Sequence, residues 1–419
     1  MMYELAVVGL GYVGLPLARA AGAAGLSVVG FDVDEVVVGA LNAGLSHVDD
    51  LSDGDVGAMI SLGFHASTDP SVLSRAATIV ICVPTPLSDE GGPDLRAVTA
   101  ATVTVGDQLR RDALVILEST TFPGTTETVI RPLLEARSGL VAGTDFQLAF
   151  SPERVDPGNT LYTIENTPKV VGGLTEASTA AARDFYARFI EQVAVAKGTR
   201  EAETAKLLEN TYRHVNIALV NEMARFCHEM DIDLWDVIRL ASTKPFGFQP
   251  FYPGPGVGGH CIPIDPNYLS HAVRSALGYP FRFVELAQEI NATMPGYVAH
   301  RIQNALNDVG RAVRGSSVLL LGVTYKANIA DQRESPAVAL AQHLLDLGAA
   351  VSYHDPYVQD WHSCPEVPRV DDLEGAVGEA EMTVLVQHHR DYDVDDLVDR
   401  AELFFDTRGV TTDGRAIRL

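Results

Sequence analysis

The segment from Leu5 to Asp32 constrains this chain more than any other. An apolar β-type run, Leu5 to Val8, opens into GLGYVG and then into the helical pattern LPLARAAGAAG, and a second run, Val28 to Phe31, ends in Asp32. Strand, glycine turn, helix and strand is the start of a parallel, doubly wound sheet. The pattern GxGxxG is weak evidence by itself, and its glycines could serve only a tight crossing. Here Gly9, Gly11 and Gly14, with Tyr12 and Val13 inside the turn, stand between strand and helix. That context aims a helix N-terminus at a pyrophosphate and lets the backbone approach it closely. Asp32, 23 residues after Gly9, can accept from ribose hydroxyls and repels a 2′-phosphate, so the expected cofactor is NAD rather than NADP.

A chain of 419 residues is too long for one core, so two or three domains are expected. Further apolar runs at Ile79 to Val83, Leu114 to Leu117 and Leu148 to Phe150 extend the alternation of strand and helix. From Glu201 the pattern changes: EAETAKLLENTYRHVNIALVNEMARFCHEM runs without proline or glycine, which implies one long helix or two joined closely. More helix is expected from Phe283 to Val309, interrupted near Pro295 and Gly296. Alternation then returns. Val318 to Leu321 reads as a strand, Ser335 and Pro336 as N-cap and N1 of a helix that Gly348 closes, and AVSYHD as the next strand. The expected fold class is α/β, with two Rossmann-like doubly wound domains joined by a helical central domain. The expected boundaries are 1–199 for a cofactor domain, 200–313 for the helical domain and 314–419 for a second Rossmann-like domain without a glycine fingerprint.

A net charge of −24 argues against nucleic acid or an anionic membrane as partner, because phosphate polymers need a clustered positive surface. No apolar run approaches the roughly 20 residues that span a bilayer, and MMYELAVVGLGYVG has no basic n-region, so a cytoplasmic protein is expected. The four cysteines are widely spaced and form no CxxC pair, which argues against a disulfide framework or a zinc site. Cys82 in TIVICV and Cys227 on a helix read as buried, inert thiols, and Cys364 in a loop carries no signal. Cys261 differs. It lies in PGPGVGGHCIPIDP, from Pro253 to Pro266, where crowded glycines let a backbone wrap a ligand. Alone it could be structural or catalytic. His260 beside it has no second ligand at metal spacing, and no metal is expected.

With these motifs together, the sequence resembles the UDP-glucose, GDP-mannose and UDP-N-acetylhexosamine dehydrogenase family. The likeness is carried by GLGYVGLP, VPTP from Val83, ESTTFPGTT from Glu118, SPERVDPG from Ser151, EAETAKLLEN from Glu201, the cysteine loop, and GVTYKANIADQRESP from Gly322. The resemblance implies NAD-dependent oxidation of a nucleotide sugar at C6 to a carboxylate. It makes Cys261 the nucleophile, Lys206 and Asn210 a helix pair that holds an oxyanion or water, and Asp265 the acid four residues after the cysteine. Thr120 and Glu153 match groups around the reacting carbon. Thr85, Thr120 and Arg333 match cofactor contacts. Glu153, Arg154, Lys206, Asn210, Tyr252, Gly256, Gly258 and Lys326 match the surroundings of the nucleotide sugar. A homodimer through the central helices, or a higher homo-oligomer, is also implied.

The i, i+4 spacing of Lys206 and Asn210 agrees, since both then project from one helical face; without the other motifs both read as residues of a solvated face. Glu153 and Asp265 could each activate the hydrolytic water or merely cap loops. Many UDP-glucose enzymes carry PEFLxEG and a lysine in the cysteine loop where this chain has PERVDPG and Ile264, a pattern nearer the UDP-N-acetylhexosamine branch. Arg154 stands where glucose enzymes have an apolar residue, either to read the sugar or to meet a diphosphate or neighbouring carboxylate. Lys244 occupies a place where some relatives send an Arg to a partner's substrate. The competing functions are a UDP- or TDP-glucose enzyme, a hydroxyacid-type dehydrogenase, which needs no cysteine loop, and a non-catalytic nucleotide-sugar sensor, expected to lack Cys261 or Lys206.

Overall fold

The computed structural model describes residues 2–48, 50–88, 92–154, 156, 159, 161–259, 262–412 and 414–419. The chain packs as two compact units, Met1–Glu209 with Asn267–Tyr279, and Asn210–Pro266 with Pro280–Leu419.

The first unit holds an eight-stranded sheet of β1 (Tyr3–Val8), β2 (Val28–Phe31), β3 (His65–Ser67), β4 (Ala76–Ile81), β5 (Leu114–Leu117), β6 (Gln147–Phe150), β7 (Lys169–Gly173) and β8 (Val193–Val195) in the order 3-2-1-4-5-6-7-8. All neighbours are parallel except β6 and β7. A parallel sheet is covered on both faces, and its strands read as continuous apolar runs rather than alternating ones. The two-residue period still decides which core each side chain enters. Leu5 and Val7 join Val80, Ile116 and Ala149 on one face, and Ala6 and Val8 join Ile79, Ile81, Val115 and Leu117 on the other. The expected strand Ile79 to Val83 is shorter than its apolar run. It ends at Ile81 because the chain must turn under Gly9 and because Pro84 and Pro86 have no N–H to donate.

The second unit carries β9 (Ser317–Leu321), β10 (Ala350–His354), β11 (Met382–Leu385), β12 (Phe404–Asp406) and β13 (Ile417–Arg418), all parallel, in the order 10-9-11-12-13. Val318 and Leu320 face one core, Leu319 and Leu321 the other. Ser335 caps the helix Pro336–Asp346 by accepting from the Ala337 N–H, with Pro336 at its start, and Gly348 leaves it at φ +88°.

The run from Glu201 forms one helix, Thr199–Glu229. The expected interruption near Pro295 does not occur: the helix Arg282–Asp308 continues through it. A proline inside a helix costs about 3 kcal/mol, and the helix bears it because Met294, Pro295 and Val298 are all buried, with Met294 and Val298 in the core against the second sheet. Among the described residues no helix is long and apolar enough to cross a membrane.

Candidate active site

At the end of β1 the three glycines do three different things. Gly9 takes φ +90°, and a Cβ on it would lie 2.9 Å from the Cys82 carbonyl oxygen. A Cβ on Gly14 would lie 1.9 Å from the Gly9 oxygen, so only glycine lets the helix start this close to the strand. Gly11 meets nothing within 4 Å. The space beside its Cα is therefore open at the start of the helix Gly14–Ala23, where N–H groups and the helix dipole favour a pyrophosphate. Asp32 accepts from the Leu10 N–H at 2.8 Å through Oδ2 and from the Asp34 N–H at 3.0 Å through Oδ1. Both bonds hold the carboxylate at the mouth of the turn, and it stays partly exposed. This arrangement fits a dinucleotide.

Beside it, Thr85 is buried in VPTP, and its carbonyl accepts from the Tyr268 hydroxyl. Thr120 follows β5 in the loop Ser119–Thr126. That loop is pinned by Glu203, fully buried, which accepts from the Gly124 N–H at 2.5 Å, the Thr126 N–H at 2.9 Å and the Thr126 hydroxyl at 2.7 Å. Burial raises the Glu203 pKa against these bonds. One turn later on the same helix, Lys206 is 6% exposed and lies 3.7 Å from Glu153 Oε2. The solvated-face reading of Lys206 is thereby corrected: the helix turns this ammonium inward to a carboxylate. Arg154 pairs with Glu209 and donates to the Pro168 carbonyl at 2.6 Å, which is the neighbouring-carboxylate reading of that residue.

In the second unit, Asn210 donates to Asp265, a buried residue that begins the helix Asp265–Leu277. The cysteine loop is held from below by two asparagines. Asn221 accepts from the Gly254 N–H at 3.0 Å, and its amide donates to Asn291 at 2.9 Å. His214 lies against Asn291, and burial lowers its pKa to about 4. Further along, Gly259 donates to the Arg333 carbonyl at 3.2 Å. A Cβ on Gly258 would lie 2.5 Å from the Glu334 oxygen, and one on Gly259 would lie 2.5 Å from the Tyr325 ring. GVGG thus lies flat against the segment that carries Lys326. Tyr252 stacks on Trp235 at 6.1 Å, Lys326 is half-buried, and Arg333 forks onto Asp331 at 2.6 to 3.1 Å. Gly256, at φ +141°, packs on Pro336. Lys244 is exposed and lies over its own Phe246.

Cys261 and His260 lie outside the described residues. The other three cysteines are buried. Burial pushes the Cys82 thiol well up, Cys227 up, and Cys364 up to about 11. A thiol so shifted supplies no thiolate at neutral pH, which leaves Cys261 as the candidate nucleophile of the chain. Sequence reasoning missed Glu203, Asn221, Asn291 and Tyr268. The available signal was polar residues on helix positions that the apolar pattern marks as inward-facing.

Comparison with known proteins agrees along the whole chain. Residues 3–190 match the NAD binding domain of the UDP-glucose/GDP-mannose dehydrogenase family, residues 200–293 its central domain, and residues 319–414 its UDP binding domain. The chain is 36% identical over 391 residues to the UDP-N-acetyl-D-mannosamine dehydrogenase of Pyrococcus horikoshii, covering 93% of this chain and 90% of that one. It is also 36% identical to the UDP-N-acetyl-D-glucosamine 6-dehydrogenase of Pseudomonas aeruginosa, over 85% of this chain and 83% of the relative. A solved structure of the Pyrococcus horikoshii UDP-D-ManNAc dehydrogenase superposes with a TM-score of 0.89 at 33% identity, over 99% of this chain and 98% of that one. That of a UDP-glucose dehydrogenase from Pyrobaculum islandicum superposes at 0.90 and 28% identity, over 100% and 97%. The chain belongs to the UDP-glucose/GDP-mannose dehydrogenase family and is an NAD-dependent nucleotide-sugar dehydrogenase.

Proposed function

We propose that this enzyme oxidises a UDP-N-acetylhexosamine at C6 to the uronic acid in two hydride transfers through a Cys261 thioester. The observation that carries the choice of sugar is that the motifs and the named relatives point the same way. SPERV and GGHCIPIDP replace the motifs of glucose enzymes, and relatives at 34 to 36% identity are named for N-acetylmannosamine, N-acetylglucosamine and N-acetylgalactosaminuronic acid nucleotides.

NAD, when bound, supplies the hydride acceptor, once for the alcohol and once for the thiohemiacetal. Gly9, Gly11, Tyr12, Val13 and Gly14 provide the turn for its pyrophosphate, Asp32 the acceptor for its ribose, and Thr85, Thr120 and Arg333 further contacts. Tyr252, Gly256, Gly258, Arg154 and Lys326 are assigned to the nucleotide sugar. The C6 alcohol gives its proton to water as its hydride leaves, forming the aldehyde. Cys261 thiolate adds to that aldehyde, and the hemithioacetal oxygen is stabilised by Lys206 and Asn210 through charge and hydrogen bonding. Loss of the second hydride leaves a thioester. Glu153 or Asp265 takes a proton from the water that cleaves it, releasing carboxylate and thiol. The domain division 1–199, 200–313 and 314–419 assigns these tasks to cofactor, chemistry and nucleotide.

A homodimer is part of the proposal. Tyr212, Leu219, Phe226 and Met230, spaced by seven, seven and four residues, expose an apolar stripe along the long helix, the pattern of a helix that packs on another. The test is a kcat/KM comparison on enzyme of measured solution mass. UDP-N-acetylmannosamine, UDP-N-acetylglucosamine or UDP-N-acetylgalactosamine is expected to exceed UDP-glucose and TDP-glucose by tenfold or more, about 1.4 kcal/mol in transition-state stabilisation. A tenfold preference for either glucose nucleotide overturns the sugar, and a 45.0 kDa species overturns the dimer.

A further inference from the structure

The second sheet repeats the first sheet's turn but seals it. β9 runs into Gly322 at φ +76°, backed by the Gln387 carbonyl, 2.3 Å from where a Cβ would stand. The next N–H, that of Val323, donates to Asp355 Oδ2 at 2.7 Å, and Asp355 follows β10 just as Asp32 follows β2. Asp355 and His389 are both 0% exposed. His389 Nε2 faces Asp355 Oδ2 at 3.1 Å and the Thr324 hydroxyl at 3.3 Å, and its Nδ1 accepts from the Asn328 N–H at 2.9 Å. An Nδ1 that accepts a backbone N–H carries no proton, so the ring is the Nε2–H form and donates to Asp355. The Tyr357 and Tyr392 rings enclose it at 5.0 and 5.7 Å.

The Tyr357 N–H donates to Asp355 Oδ1 at 2.8 Å, and among the described residues the other hydrogen bonds of this pair go to the loop from Val323 to Asn328. Besides the Val323 and Asn328 N–H groups, the Thr324 hydroxyl donates to the Lys326 carbonyl at 2.8 Å, Gln387 donates to the Tyr325 carbonyl at 3.0 Å, and the Asn328 side chain accepts from the Arg390 N–H at 2.8 Å. Asn328 itself takes φ +64°, a left-handed conformation that asparagine adopts more readily than most residues with a side chain. A loop so fixed projects Tyr325 and Lys326 at the carboxyl end of the parallel strands, where open α/β sheets take their ligands. The loop also falls inside the segment that matches a UDP binding domain.

We infer that His389 and Asp355 are a positioning pair for the nucleotide end of the substrate: in the place where the first sheet keeps an acid open for a ribose, the second uses the acid, through a buried histidine, to set the loop that bears Lys326. The inference rests on the nucleotide being taken by this third segment. Neither side chain need touch the ligand.

The test uses the full-length enzyme with three readouts: the KM for the nucleotide sugar, the Kd for UDP alone, and the Kd for NAD. Asp355→Asn, which keeps volume but replaces one acceptor oxygen with a donor, and His389→Ala are expected to raise both the sugar KM and the UDP Kd at least tenfold, with the NAD Kd within twofold. His389→Asn places an acceptor where Nδ1 was and should recover most of the loss, whereas His389→Gln restores only the bond to Asp355 and should stay near His389→Ala. A UDP Kd within twofold of the parent in both Asp355→Asn and His389→Ala overturns the inference. So does a parallel rise in the NAD Kd, which would mark a general loss of structure. Lys326→Ala separates the underlying reading: if it leaves the UDP Kd unchanged while the His389 variants raise it, the assignment of Lys326 fails and the positioning role stands.

Discussion

The two parallel sheets begin alike and end with opposite uses. In each, the first strand runs into a left-handed glycine backed by a neighbouring carbonyl, Gly9 on Cys82 and Gly322 on Gln387. In each, the following N–H is received by an acid after the next strand, Asp32 at 2.8 Å and Asp355 at 2.7 Å. The difference lies in how far the chain then runs before its helix. After Gly9 it enters a helix within five residues, leaving Gly11 in open space; after Gly322 the helix Pro336–Asp346 begins only fourteen residues on. A short turn brings a helix N-terminus, which favours a phosphate, close to the strand end, and a long one uses its backbone groups in its own bonding. In the proposed reading the first turn serves the cofactor and the second mounts a loop.

Substitutions at the glycines sharpen this contrast. Gly14→Ala should be the most damaging. Its Cβ would overlap the Gly9 oxygen at 1.9 Å, backbone against backbone, and a loss of roughly 3 kcal/mol or more is expected together with NAD binding. Gly322→Ala comes next, at about 3 kcal/mol from the left-handed φ and the Gln387 clash together, with UDP affinity lost and NAD affinity kept. Gly11→Ala meets nothing and should leave stability within about 0.5 kcal/mol, yet weaken NAD about tenfold because its methyl enters the space of the ligand. Denaturant melts and NAD titrations of the three proteins check the order. Equal destabilisation by Gly11→Ala and Gly14→Ala would erase the distinction between a packing glycine and a binding one.

Acid should separate the two units less strongly. His214, His228, His354 and His388 in the second unit have pKa values lowered chiefly by burial, against His65 in the first. For His214, folded near 4 and unfolded near 6.5, the unfolded chain binds the extra proton. Its contribution is therefore full above about pH 6.5 and is lost as the pH falls toward 4. Between pH 7 and pH 5 this amounts to about 2 kcal/mol. His214→Gln should flatten the stability profile over that window by about this amount in urea titrations, and an unchanged slope would show that the ring is already solvated in the folded protein.

Much of this was legible in the sequence for physical reasons. The glycine turn, Asp32 and the strands β1, β2, β5 and β9 follow from apolar period and turn chemistry, which are local. The short strands His65–Ser67 and Val193–Val195 carry little apolar signal and exist because a neighbouring strand offers its edge. The helix through Pro295 overrides a local rule because burial of its neighbours outweighs one lost hydrogen bond. Lys206 was legible as a motif residue but not as a buried one, since only the fold brings Glu153 to it. Glu203 showed at most as a polar residue on an inward-facing helix position, and neither its role nor that of the His389–Asp355 pair could be read, because each acts on a loop 32 to 79 residues away in sequence.

If one cysteine carries the sugar through both oxidations, NADH formed and nucleotide sugar consumed by the purified enzyme on its N-acetylhexosamine substrate stand in a fixed ratio. Two NADH per sugar are expected, with a uronic acid as the sole sugar product and none of it from Cys261→Ser. One NADH per sugar with free aldehyde or ketone, or a Cys261→Ser enzyme that still makes the acid, would contradict that route.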